Sequence, residues 1–206
     1  PSIPDIHSSF HDIVDQFVVY VVVWRNTLSL PHRLDFVATW FSEGQDDTVG
    51  TYTYHTRGIF GQRFDASGNP VGSEFQINTH VSNQQAYPAI TSLPDDGFVV
   101  VWHSAGQESY HGIYGQRYNS SGVAVGTEFH VNTYTSNYQV EADITTLSDG
   151  SFVVTWTSKN QDGSSYGIYG QRFDADGFKL SDEFQINTET YPNNAIKYFE
   201  ALQKRS

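Results

Sequence analysis

The stretch RGIFGQRFDASG at residues 57–68 returns as HGIYGQRYNSSG at 111–122 and as YGIYGQRFDADG at 166–177. Self-similarity at a fixed period constrains a fold more than any single motif, because every copy must make the same local structure and meet the same kind of neighbour. Gly61, Gly115 and Gly170 stand 54 and 55 residues apart. Each copy sits in a longer unit: the middle one begins AYPAITSLPDDGFVVVW and ends TEFHVNT, and the last begins VEADITTLSDGSFVVTW and ends DEFQINT. A worn first copy runs from TLSLPHRLDFVATW, through an inserted TVGTYTYHT, to SEFQINT. The units therefore cover residues 27–79, 80–133 and 134–188, leaving 1–26 and 189–206 outside the repeat.

Within a unit the apolar period is two. Phe98, Val100 and Trp102 alternate with Val99 and Val101, so both faces of this strand are apolar and both must be covered. In DASG, NSSG and DADG the glycine stands where a hairpin turn needs positive φ. Each unit offers four short strands, in the middle one AITSL, FVVVW, GIYGQRY and EFHVN. Four antiparallel strands in such a unit match the size of a propeller blade, which buries both faces by stacking on its neighbours. The expected fold is all-β and single-domain: a propeller-like array with three clear four-stranded sheets and a fourth drawn from the termini or from another chain. A three-sheet β-prism is the alternative. Apolar residues at helical spacing from Ile3 to Phe17, and Asn194 ahead of AIKYFEALQKR, predict short terminal helices.

Charge and composition exclude several classes. Lys and Arg total 11 against 23 Asp and Glu, a formal charge of -12, which repels nucleic acid and anionic membrane. Without cysteine there is no disulfide, thiolate metal site or cysteine nucleophile. The apolar run FVVYVVVW at residues 17–24 is far shorter than a bilayer span of roughly 20 residues. It reads instead as an edge strand that invites pairing with another chain. No methionine is present, even at position 1, which predicts a processed product, a fragment or an incomplete record.

Residues that recur with the repeat are the candidate sites. Arg63, Arg117 and Arg172 precede Glu74, Glu128 and Glu183 by eleven positions, which predicts one cross-strand ion pair per unit. The turn starting at Asp174 resembles the opening of a calcium loop, but its counterpart at Asn119 carries no carboxylate, so a turn without calcium is the favoured reading. Asn119, Ser120 and Ser121 also form the chain's one N-glycosylation sequon. After Trp40, Trp102 and Trp156 an amide and a carboxylate stand at matched places: Gln45 and Asp46, Gln107 and Glu108, Gln161 and Asp162. With Tyr110 and Tyr166 as stacking surfaces, these are the candidate ligand-binding residues, suited to sugar hydroxyls or to a cation. Glu141 and Asp143, alternating on one strand, are a weaker pair for acid and base work on a glycoside. The eight histidines show no zinc spacing, and no nucleophile elbow, P-loop or dinucleotide fingerprint occurs.

The phrases DGSFVVTWTSKNQDGSSYGIYGQRFDADG and EFQINT resemble a tandem repeat of very large secreted or cell-surface proteins, including bacterial RTX-type exoproteins and comparable surface proteins of protists. The likeness covers residues 86–188 well, 27–79 moderately, and neither terminus. It implies an extracellular or cell-surface adhesive or scaffold module, and supplies no catalytic residue. The expectation is thus a noncatalytic structural and adhesive module that needs no cofactor and self-assembles into an oligomer or filament or docks to a parent surface assembly. A multivalent carbohydrate-binding lectin is the alternative.

Overall fold

The structure, a computed structural model, describes residues 19–26, 33–43, 45, 56–108, 110–163 and 165–188, with 19–26 and 33–34 described by backbone alone. The two expected terminal helices lie outside the described residues. Twelve strands make three four-stranded antiparallel sheets, each in sequence order. The first holds β1 (Val19–Asn26), β2 (Arg33–Glu43), β3 (Arg57–Phe64) and β4 (Pro70–Gln76). The second holds β5 (Gln85–Ser92), β6 (Phe98–Ala105), β7 (His111–Tyr118) and β8 (Ala124–His130). The third holds β9 (Gln139–Thr146), β10 (Phe152–Lys159), β11 (Tyr166–Phe173) and β12 (Phe184–Gln185). The chain is all-β over these residues, and the three sheets do not close on one another. No helix among them is long and apolar enough to cross a membrane.

One sequence assignment changes. The segment containing FVVYVVVW is not held over for a fourth sheet: β1 pairs with β2 from Val19 opposite Trp40 to Asn26 opposite Arg33. It fills the place that β5 and β9 fill in their sheets, so the first unit takes its first strand from upstream of residue 27.

The alternation in β6 has the predicted consequence. Phe98, Val100 and Trp102 join a core with Val37, Phe41, Ile59 and Ile77 of the first sheet. Val99 and Val101 join Phe152, Val154 and Trp156 of the third. Trp102 and Trp156 are fully buried. Covering a large side chain in this way is worth roughly 1.5–3 kcal/mol.

The letters common to all units have local causes. Asp65, Asn119 and Asp174 each use Oδ1 to accept two backbone N–H groups of their own turn, closing the hairpin between the third and fourth strands. Gly68, Gly122 and Gly177 take φ of 79°, 76° and 91° there. Asn78, Asn132 and Asn187 accept the backbone N–H of Ile59, Ile113 and Ile168, each at 2.6 Å, which ties the end of every unit to the start of its third strand. Gly61, Gly115 and Gly170 leave room for a ring: a Cβ on them would lie 2.9, 2.6 and 2.8 Å from Phe75, Phe129 and Phe184. That phenylalanine lies over the glycine, and its other side is offered to the next sheet. Phe75 meets Tyr118 at 5.5 Å, and Phe129 meets Phe173 at 5.5 Å.

The predicted arginine–glutamate pairs do not form. Register slips between Gly115 and Arg117, so that Val125, not Glu128, lies opposite Arg117. Arg117 and Arg172 turn to Asp95 and Asp149 in the hairpin between the first two strands of their own sheet, each at 2.5 Å. Arg63 instead donates to the Ser121 carbonyl of the second sheet, at 2.9 Å.

Candidate functional site

The glutamates released from those pairs join consecutive sheets. Glu128 accepts from Gln107 Nε2 at 2.7 Å on one oxygen, and from the backbone N–H and hydroxyl of Thr79 in the preceding unit on the other, both at 2.9 Å. Glu183 repeats the pattern with Gln161 and with Thr133, whose N–H and hydroxyl lie at 2.7 and 3.0 Å. Gln45 donates to Glu74 in the first sheet. The three candidate glutamines are therefore parts of a clamp.

The acids beside them are also engaged. Glu108 takes the Tyr114 hydroxyl at 3.3 Å and pairs with His130 Nε2. Burial, reinforced by Glu108, pushes the Tyr114 phenol well above its usual pKa. Asp162 accepts from Gln185 Nε2 at 3.0 Å. Asp46 lies outside the described residues. Shallow clefts of about 540 and 840 Å³ adjoin the two complete clamps, the first containing Gln107 and Glu128, the second Gln161 and Glu183. Gln107 and Gln161 each keep a buried Oε1 without a hydrogen-bond partner beside these clefts.

Tyr110 and Tyr166 have a different setting. They belong to an aromatic row that crosses all three sheets where the second strand ends and the third begins. Arg57 lies over the Phe41 ring at 5.2 Å, and Phe41 meets Tyr87 at 5.5 Å. Tyr87 meets His103 at 5.1 Å, His103 meets His111 at 5.3 Å, and His111 meets Tyr138 edge-on at 5.0 Å. Tyr138 continues to Tyr110 at 5.6 Å. Lys159 lies 5.4 Å from the Tyr138 ring and 5.9 Å from that of Tyr166, within cation–π reach of both.

Backbone geometry fixes this row. Parallel bridges join Arg57 to Gln84 and His111 to Tyr138, drawing β3 and β7 to the lead-in of the next sheet. Tyr87 sits at a bulge in β5, with φ of 53°, which turns its ring toward Phe41 and His103. Tyr87, Tyr110, Tyr138 and Tyr166 are 43%, 45%, 39% and 37% exposed, so the row keeps an open aromatic edge. The histidines lie deeper. Burial, then His111, then Arg57 lower His103 from 6.5 to about 3, and burial lowers His111 as well, so the row is neutral at its centre near neutral pH.

Tyr87 and Tyr138 are the residues that sequence reasoning missed. Tyr87 aligns with Glu141, and Tyr138 with Gln84, so neither repeats between units. Glu141 and Asp143 are both exposed on β9. A bulge interrupts the alternation at Glu141, which has φ of 57°. Glu141 accepts from the Thr157 hydroxyl at 3.2 Å, and Asp143 accepts the next backbone N–H at 2.8 Å. Among the described residues no three His, Asp or Glu side chains are grouped to hold a metal ion.

No family model matches the chain, and no curated protein matches it. Among solved structures, the chain is similar to the endo-arabinase from Bacteroides thetaiotaomicron VPI-5482, with 11% identity and a TM-score of 0.44. That alignment covers 85% of this chain and 59% of the other. A likeness of this grade assigns neither the fold nor the chemistry of this chain.

Proposed function

We propose that this chain is a propeller-like, noncatalytic adhesive module of an extracellular or cell-surface protein, which binds carbohydrate on its aromatic row. The observation that carries this reading is the exposed edge formed by Tyr87, Tyr110, Tyr138 and Tyr166 across three sheets. Tyrosine offers a flat apolar face for the C–H side of a sugar ring together with a hydroxyl for hydrogen bonding. The Lys159 ammonium adds a cationic group beside those faces. The lectin reading thus moves from the clamp glutamines to the tyrosines. Sheets stacked by a repeated interface support the propeller-like arrangement.

The test is a glycan array followed by titration calorimetry on the best oligosaccharide. Replacing Tyr110 and Tyr138 together by Ala is expected to weaken binding at least tenfold, while Gln107→Ala leaves affinity within about twofold. An array without signal, or affinity that depends on Gln107 and not on the tyrosines, would reject the reading.

A further inference from the structure

The interface between the first and second sheets is built like that between the second and third. A stacked ring pair on the leading face, Phe98 with Tyr118 or Phe152 with Phe173, receives the phenylalanine that the preceding sheet lays over its glycine. These four rings are buried, as are Ile77 and Val131 on the trailing faces opposite. Beside them the threonine that ends one unit donates twice to the glutamate of the next.

Both halves of this interface occur once more, unmatched among the described residues. The first sheet carries a stacked pair, Phe36 and Phe64, with centroids 4.9 Å apart, and both rings are only half-buried. Glu74 there holds the Gln45 half of a clamp. On the third sheet Phe184 already lies over Gly170, yet it is 43% exposed, and Ile186, in the place of Ile77 and Val131, is 46% exposed. Thr188 ends that unit in the place of Thr79 and Thr133.

We infer that the trailing face of the third sheet docks on the leading face of the first sheet of a second copy of this chain. Phe184 lies on the Phe36 and Phe64 rings, and Thr188 donates to Glu74. The proposal rests on the propeller-like arrangement above and names its partner. Donor and acceptor faces differ, so the contact is head-to-tail, and it ends either in a ring or in a filament. Propellers close at about four to eight sheets. Two copies supply six and three supply nine, so the ring is a dimer with two such joints.

The chain has no cysteine, which makes site-directed cross-linking clean. A chain carrying Thr188→Cys and Glu74→Cys, treated with a short bismaleimide, is expected to give a covalent dimer and no higher ladder. Thr79→Cys with Glu128→Cys serves as the within-chain control. Light scattering of the unmodified protein is expected at twice the 23.2 kDa chain mass. Ile186→Arg is expected to give monomers with unchanged near-ultraviolet circular dichroism. A monomeric parent without cross-links, a ladder beyond the dimer, or a dimer that survives Ile186→Arg would each overturn the closed joint. Glycan binding measured on the Ile186→Arg monomer separates the two proposals, since Tyr110 and Tyr138, the residues that the binding test removes, form no part of the proposed joint.

Discussion

Thr79 donates twice to one oxygen of Glu128, from its backbone N–H and from its hydroxyl, each at 2.9 Å. The two residues are 49 positions apart and belong to different sheets. The other oxygen of Glu128 holds Gln107 of its own sheet, so a single carboxylate fixes a loop within one sheet and the end of the sheet before it.

Glu128→Ala should therefore cost more than an ordinary surface change. Hydrogen bonds to a charged acceptor contribute roughly 1.5–3 kcal/mol where buried. The Thr79 bonds are exposed and the Gln107 bond is part-buried, so a loss of about 1–2 kcal/mol is expected. Urea unfolding of Glu128→Ala, Thr79→Ala and the double variant should show coupling, with the double variant little worse than Glu128→Ala. Strictly additive losses would show that the two groups do not act together.

The glycine of GIYGQRF makes a second prediction. A Cβ on Gly115 would stand 2.6 Å from Phe129 Cζ, and Phe129 is itself held by Phe152 and Phe173 of the next sheet. Gly115→Ala should destabilise by about 1–3 kcal/mol through overpacking. Adding Phe129→Leu should return part of that loss. If the single variant is as stable as the parent, the ring does not occupy this place.

The same residues show what was legible beforehand. Alternation in β6 and the DASG, NSSG and DADG turns foretold four-stranded antiparallel sheets and burial on both faces, because strand period and turn chemistry are local properties. The first strand of the first sheet, however, lies upstream of the unit drawn at residue 27. The partner of Arg117 was not legible. A slip of register around Gly126, with φ of 72°, moves Glu128 out of line, and nothing in the spacing announces it. The clamp was hidden because its threonine lies in the preceding unit. The aromatic row was hidden because Tyr87 and Tyr138 each occur in one unit only, so looking for repetition passes them over.

Stability should fall with acid because of His103. The unfolded chain takes up this proton near pH 6.5, whereas the folded chain, held back by burial, does so only near 3. Between those values the unfolded state binds more protons. The stability is fully present above about pH 6.5 and is lost progressively as pH falls toward 3, by up to about 1.4 kcal/mol per pH unit. His111, also lowered, acts in the same sense. His103→Phe takes the residue that the first sheet carries there as Phe41. The parent should lose at least roughly 1 kcal/mol relative to this variant between about pH 7 and pH 4.5, by urea unfolding. Parallel profiles would refute a buried neutral imidazole.

Glu141 and Tyr87 occupy equivalent bulges at φ of 57° and 53°, a region that side chains avoid. Glycine relieves this strain by roughly 1 kcal/mol, so the outcome depends on what each side chain contributes. Glu141 offers one bond to the Thr157 hydroxyl at 3.2 Å. Tyr87 lies between the rings of Phe41 and His103. Glu141→Gly should therefore leave stability unchanged or raise it by up to about 1 kcal/mol, while Tyr87→Gly should lower it by about 1–2 kcal/mol through lost ring contacts. Chemical unfolding of the two variants side by side reads the difference directly. Equal effects would mean that the bulge is set by the backbone alone, and that Tyr87 is not held in place by its neighbours in the aromatic row.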